Sequence, residues 1–434
     1  MSSMFRRTVR GMRDLLPDEA EKLRFIERTA REVAKLHGYR EVITPLVENY
    51  QLLSAKVGEE NRKRMYVFED LGGRKVALRP EFTASIARLV AVKMATAPKP
   101  IRLFSTGTLY RYDEPQSGRY REFWQANYEL FGSSKPEADA EIVSLTNNLM
   151  EKIGLHDYYF KIGHVGILRG VLDQEGVAEE QQNSVMQLLD SRDWDEALRV
   201  VRDAGGGSEK CLDTLNTLFE IKGKDPNTVT QEIRETVQDY PEALEAVRNL
   251  CEITGLLEAG GVETDFVIEA GFARGLEYYT GIIFEVYVPE MNAALAGGGR
   301  YDKLIELFGG AKTPATGVAP GPDRMSLALE KQGTIPSISG DERIMVIPVD
   351  GKLVGEAFRI SLILRKEGLC TEIETMGRSV SNALSDASRR GITYVVIVGP
   401  SELKEGKVVL RNMKREEQKI VTIDQAIVEL AEAR

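Results

Sequence analysis

The stretch from Tyr110 to Gly132, YRYDEPQSGRYREFWQANYELFG, constrains this chain more than any other. A turn cluster of Pro115, Ser117 and Gly118 separates a β-rich run ending at Tyr112 from a second run over 119–131, the pattern of a β-hairpin. Side chains alternate faces along a strand, so Arg121, Phe123, Gln125, Asn127 and Glu129 share one side: a cation, a flat aromatic, amides and a carboxylate in a row. At ~3.3 Å per residue, Phe123 and Glu129 lie roughly 20 Å apart, about the reach of a nucleotide joined to an amino acid. So mixed a face is costly to bury without partners, and it equally suits a solvated strand of alternating charge. Three arginines near the turn, Arg111, Arg119 and Arg121, weigh toward a ligand, because planar guanidinium groups fork onto phosphate oxygens.

The wording R-Y-D-E-P from Arg111, followed by G-R-Y-R-E-F-W-Q from Gly118, resembles motif 2 of the class II aminoacyl-tRNA synthetases, and within them the histidyl-tRNA synthetase family. That resemblance implies that Arg111 grips the α-phosphate of ATP, Phe123 stacks on adenine, Gln125 contacts the main-chain groups of histidine and Glu129 accepts from the imidazole. Arg119 joins the ATP-binding set, and Gln116 at the turn is implied to reach the acceptor end of tRNA.

Further segments carry family wording. A-R-G-L-E-Y-Y-T-G-I-I-F-E from Ala273 resembles the first histidine-specific signature, which places Arg274 against the α-phosphate and the substrate carboxylate and Tyr279 in the imidazole pocket. A fixed cation there would stabilise charge building on phosphoryl oxygens. A-G-G-G-R-Y-D from Ala296 resembles the second signature and implies Tyr301 in the same pocket. Alone, consecutive glycines read as a flexible turn or as a backbone approached closely by a ligand. R-P-E-F-T from Arg79 predicts a proline in the first turn of a helix running to about Met94, with Glu81 and Thr83 implied to face the α-ammonium. Glu and Thr also suit an ordinary helix N-terminus. Phe82 departs from the smaller residue of many relatives.

Motif 3 is read at G-V-A-P-G-P-D-R-M from Gly317, where Arg324 is implied to contact the γ-phosphate and cover adenine as a cation over a π-system. Asp323 replaces the glutamate commoner before that arginine. Motif 1 is read from His37 to Glu48 with Pro45 as its marker, implying the class II homodimer interface.

The fold class expected is α+β: an antiparallel-sheet class II catalytic core over 1–169 and 256–332, a helical insertion domain over 170–255 and a C-terminal α/β anticodon-binding domain over 341–434. Segment 170–255 is helical and charged, and the resemblance implies that it helps hold the tRNA acceptor arm; a helical spacer without a ligand fits it too. After a Gly-, Ser- and Pro-rich linker over 333–340, β and α segments alternate, which predicts a central, mostly parallel sheet.

The 434 residues suffice for a sizeable core. The formal net charge of −10 excludes a global field for nucleic acid, so tRNA contacts must come from local basic patches. Cys211, Cys251 and Cys370 form no C-x-x-C pair, and His37, His156 and His164 are too few and too scattered for a metal cluster or a triad. The sequence thus signals no metal site of its own, and magnesium is implied only as the companion of ATP. No run of about 18 apolar residues and no signal-peptide core appear, so a cytoplasmic enzyme with no membrane partner is expected.

The activity implied is a histidine–tRNA ligase, joining L-histidine to tRNA(His) with ATP through a histidyl-adenylate. Two rivals are a non-catalytic regulatory paralogue attached to the first enzyme of histidine biosynthesis, and a synthetase-like sensor of uncharged tRNA joined to a kinase. The first generally lacks the intact ATP-gripping set and the C-terminal domain. Against the second, no kinase glycine loop or H-R-D is present.

Overall fold

The computed structural model describes residues 6–55, 58–204, 207–274, 277–334 and 342–433. The expected linker at 333–340 lies almost entirely outside them, as do Gly275 and Leu276 of the first histidine signature. Two compact units emerge, Met1–Pro336 and Ser337–Arg434.

A nine-stranded sheet organises the first unit. Its middle is antiparallel: Ile101–Tyr110 pairs with Glu122–Phe131, then come Ala315–Pro320, Ala296–Arg300, Ile282–Tyr287 and Tyr159–His164. Parallel pairs occur toward the rims, Arg40–Glu41 on Ile101–Tyr110 and Asp265–Glu269 on Tyr159–His164. The hairpin forms because Gly118 adopts φ 72°, a left-handed turn that favours glycine, while the bulky alternating run beyond it suits a pleated surface.

One face of the sheet is covered by helices. The Pro17–Leu36 helix starts on its proline, with Glu19 accepting from the Leu16 N–H at 2.9 Å, and it buries Leu23, Ile26, Ala30 and Val33 at helical spacing. Tyr128, of opposite parity to Phe123 and Glu129, donates its hydroxyl to the Ala30 carbonyl on this helix at 2.8 Å. Burying each such Leu, Ile or Val contributes roughly 1.5–3 kcal/mol. The opposite face, carrying the odd-numbered residues of the hairpin, is left to form a cleft.

Helices Val165–Gln174, Glu179–Asp190, Trp194–Asp203, Glu209–Glu220, Pro226–Thr236 and Pro241–Ala259 fill the middle of the sequence. Their buried residues, among them Leu168, Leu215, Ile233 and Leu250, are continuous with the hydrophobic core around the sheet. His164 is buried where it caps the first of them: its Nδ1 accepts from the Gly166 N–H at 3.1 Å and its Nε2 lies 3.1 Å from Asn249 Oδ1. Burial pushes its pKa down to about 4, so it packs as a neutral ring.

The described residues of the second unit form a five-stranded sheet, in which Ile344–Pro348, Thr371–Ile373 and Tyr394–Val398 are parallel. The expected mostly parallel sheet is corrected on its other side, where Lys407–Asn412 and an unforeseen strand Glu417–Thr422 add antiparallel pairs. Their turn lacks glycine. Asn412 Oδ1 instead accepts from the Lys414 and Arg415 N–H groups at 3.0 Å each, and Glu416 takes φ 58°.

Candidate active site

Four arginines from three separate segments line one cleft on the open face of the sheet: Arg111 and Arg119 of the hairpin, Arg274 of the loop before Ile282–Tyr287, and Arg324 of the Pro322–Gln332 helix. Each is steered by fixed acceptors. Arg111 Nε donates to the Pro80 carbonyl at 2.9 Å, and Arg119 Nε to Asp113 Oδ2 at 2.8 Å. Arg324 donates to the carbonyls of Gly118 and Ala294 at 3.2 and 2.7 Å. Arg274 Nη1 lies 3.5 Å from Glu285 Oε1. Burial lowers the pKa of Arg111 and Arg324, the electrostatic mark of cations short of counter-charge. Against a similar burial, Tyr279 and Glu285 hold that of Arg274 up.

Phe123 shares the cleft, its ring 5.1 Å from the Arg111 guanidinium. Arg121 has the same parity yet is turned elsewhere, because it precedes the strand. Its Nε donates to the Asp113 carbonyl at 3.0 Å and its guanidinium covers the Tyr112 ring at 3.6 Å, so it is no phosphate fork in this arrangement.

Glu81, Thr83, Gln125, Tyr279 and Tyr301 line the same cleft, Tyr279 with its ring 5.8 Å from the Arg274 guanidinium. Glu81 also caps a helix, accepting from the Thr83 and Ala84 N–H groups at 2.5 and 2.8 Å. The helix therefore starts at Thr83, and Pro80 precedes it rather than occupying its first turn as expected. Phe82 is buried beneath the Arg79 guanidinium at 4.3 Å, which accounts for a large residue there. Glu129 lies deeper, its Oε1 accepting from Asn127 Nδ2 at 2.6 Å. Burial pushes its pKa up to about 8, with the Thr83 hydroxyl and the Asn127 amide offsetting only part.

The glycine run of the second signature is neither turn nor loop but the Ala296–Arg300 strand. A Cβ on Gly297 would strike the Arg274 guanidinium, and one on Gly317 in the next strand would strike Glu129 Oε2. These two positions lack side chains because charged groups lie directly on the backbone. Arg300 is structural: its Nε donates to both oxygens of buried Asp139 at 3.1 and 2.9 Å.

Among the described residues, five buried polar atoms in or beside this cleft have no hydrogen-bond partner: Gln125 Oε1, Asn127 Oδ1, Glu129 Oε2, Arg274 Nη1 and Tyr301 Oη. An orphaned buried polar atom costs about 1–3 kcal/mol, so their convergence marks a ligand's place. Gln116 stands apart, exposed at the hairpin tip, with its backbone paired to Arg119. No motif or spacing pointed to Tyr278, which packs edge-on to Tyr301 at 5.6 Å, nor to Asp113 and Glu285 as acceptors for arginines.

Comparison with known proteins decides the family. A family model described as histidyl-tRNA synthetase matches residues 11–325, and one described as anticodon binding domain matches 343–433. The chain is 42% identical over 419 residues to the histidine–tRNA ligase of Methanocaldococcus jannaschii, covering 96% of this chain and 97% of that protein. The chain belongs to the histidyl-tRNA synthetase family. With the histidine–tRNA ligase of Sulfolobus acidocaldarius it shares 41% identity over 421 residues, 96% of each chain. The solved histidyl-tRNA synthetase of a Nostoc species superposes with a TM-score of 0.80 at 22% identity, covering 99% of both chains, a likeness of fold. The α+β class II core and the C-terminal anticodon-binding domain are thus this synthetase's architecture. It is a ligase that attaches histidine to tRNA(His) at the expense of ATP, through a histidyl-adenylate, releasing pyrophosphate and then AMP.

Proposed function

We propose a division of labour within the cleft of this synthetase. Arg111, Arg119, Arg274 and Arg324 receive the triphosphate, with Arg111 and Arg274 at the α-phosphate and Arg324 reaching the γ-phosphate. Phe123 and Arg324 enclose adenine from its two faces. Glu81, Thr83 and Gln125 hold the amino end of histidine, while Glu129, Tyr279 and Tyr301 receive its imidazole.

In this arrangement the histidine carboxylate attacks the α-phosphorus in line, pyrophosphate leaves, and the fixed guanidinium groups meet the charge that builds on the phosphoryl oxygens. The 3′-hydroxyl of the terminal adenosine of tRNA then attacks the acyl carbon. Among the described residues we assign no side chain as a general base for this step, and a phosphate oxygen of the adenylate is read as taking the proton.

Magnesium fits as a companion of the ATP phosphates. Among the described residues no cluster of His, Cys, Asp or Glu could hold a metal ion, and the cleft's carboxylates are engaged: Asp113 by Arg119, Glu285 by Arg274, Glu81 by helix N–H groups. When bound with ATP it would neutralise phosphate charge.

Gln116, exposed at the hairpin tip, is read as touching the acceptor end of tRNA. We divide the chain into a catalytic core over 1–169 and 256–332, an insertion over 170–255 that meets the acceptor arm, and an anticodon-binding domain over 341–434. A homodimer is read from the apolar side chains exposed around motif 1, Ile43 at 89% together with Leu46, Val47 and Phe68. Sedimentation of the purified chain tests it. No helix among the described residues is long and apolar enough to cross a membrane, which accords with a cytoplasmic location.

The observation carrying the residue assignment is the meeting of Arg111, Arg274 and Arg324 in one cavity beside the unpartnered polar atoms. Histidine-dependent pyrophosphate exchange tests it: Glu129→Ala should impair the use of histidine far more than that of ATP. Equal losses reject the assignment of Glu129.

A further inference from the structure

We propose that Asn127 is a specificity-determining residue of the histidine pocket: its side-chain carbonyl accepts from the substrate, while its amide ties one oxygen of Glu129 and leaves the other to the imidazole. The proposal rests on the reading that Glu129 receives the imidazole.

Gln125, Asn127 and Glu129 follow one another on the cleft face of the Glu122–Phe131 strand, all buried. A two-residue step along a strand is ~7 Å, so they form a ladder running inward from the cleft. Every rung ends in an oxygen with no partner: Gln125 Oε1, Asn127 Oδ1 and Glu129 Oε2. An asparagine amide has donors on nitrogen and an acceptor on oxygen. With Nδ2 donating to Glu129 Oε1 at 2.6 Å, the acceptor is the end left for a ligand.

The same bond fixes Glu129. Its carboxylate is faced by Glu81 and Thr83 at the start of the Thr83–Lys93 helix, by Tyr278 and Tyr279 of the loop, and by Tyr39 from the helix-covered side. No cation is among them; the Thr83 hydroxyl and the Asn127 amide are the groups that favour its charge. Asn127 therefore sets which oxygen is free and, together with the Thr83 hydroxyl, how readily it ionises.

A ladder of acceptors selects for N–H donors spaced along the ligand. Histidine offers an α-ammonium at one end and an imidazole N–H at the other. An apolar amino acid of similar size would leave the inner rungs unpaired in a buried site, the kind of mismatch that discriminates strongly.

The test uses the purified full-length chain in histidine-dependent pyrophosphate exchange, varying histidine and ATP separately from about pH 6 to about pH 9. Asn127→Ala removes both contacts. Asn127→Leu keeps the size and loses both donor and acceptor, so it remains informative if the alanine variant folds poorly. Both should raise KM for histidine at least ~10-fold and change KM for ATP by less than ~2-fold. The inflection in kcat/KM for histidine, near pH 8 in the parent, should move to higher pH once the donor is lost. A histidine KM within ~2-fold of the parent in both variants overturns the proposal, and so does a raised KM with an unmoved inflection. Glu129→Gln separates the two levels: if it leaves KM for histidine unchanged, the reading of Glu129 itself falls. If it raises that KM while the Asn127 variants are silent, only the role of Asn127 falls.

Discussion

Arg13 pairs with Asp323 across 310 positions of sequence. The other oxygen of Asp323 accepts from the Trp124 N–H at 2.6 Å, and the Arg13 guanidinium lies over the Tyr120 ring at 3.6 Å. Two residues earlier, the Gly11 carbonyl accepts from the Arg121 N–H at 3.0 Å. One carboxylate thus ties the start of the chain, the hairpin bearing Phe123 and the helix bearing Arg324. Arg13→Ala leaves a buried carboxylate short of its counter-ion and loosens both walls of the proposed adenine slot. Its KM for ATP should rise by about tenfold, a loss of ~1.4 kcal/mol, with KM for histidine little changed. Pyrophosphate exchange with each substrate varied in turn checks this.

Arg274→Ala should slow pyrophosphate exchange by at least about tenfold. Arg274→Lys should recover little of it, because a lysine carries a point charge in place of a planar fork. Single-turnover adenylate formation measures the effect without the tRNA step. Full retention by either variant would rule out a part for this guanidinium in the chemistry.

Glu129 makes the free enzyme sensitive to alkali. Its folded-state pKa is raised to about 8, above the ordinary 4.5 of an unfolded glutamate, so the folded chain holds the proton more tightly. The stability this gives is complete below the unfolded value and is lost as pH rises through about 8. Glu129→Gln carries no charge to desolvate. Its melting temperature relative to the parent should climb between about pH 5 and about pH 8 and level off above, and a difference independent of pH would contradict the burial argument.

Gly317 faces Glu129 in register, and a methyl group there would overlap the carboxylate. Gly317→Ala should cost about 1–3 kcal/mol in stability and impair histidine use before ATP use. Gly255 is the control, sitting in the Pro241–Ala259 helix with nothing within 4 Å of the place a methyl group would take. Gly255→Ala should be neutral or stabilise by up to ~1 kcal/mol. Thermal melts and exchange assays on the pair distinguish a crowded glycine from an idle one.

The sequence revealed most where a local period carried the information. Alternation along the hairpin put Phe123, Gln125, Asn127 and Glu129 on one side, and the strand keeps them there because its other face is occupied by Tyr128 and the helix it bonds. Arg121 escaped that rule, since alternation holds only inside the strand, which begins at Glu122. Links between distant segments left no trace in any window of sequence: Arg13 with Asp323, Arg300 with Asp139, and the continuity of the helical stretch with the core beneath the sheet. Strand Glu417–Thr422 was hidden for another reason. Its turn is made by an asparagine side chain and a left-handed glutamate, without the glycine that usually announces one.

The two strands bearing Gly297 and Gly317 run through the centre of the sheet, and at those two positions Arg274 and Glu129 rest directly on backbone. Backbone has no rotamers to reset, so both groups stand on a rigid floor, and any preference among amino acids has to be set by the side chains around it. Retuning this enzyme toward another substrate would therefore mean rebuilding its walls, because nothing below them can be trimmed.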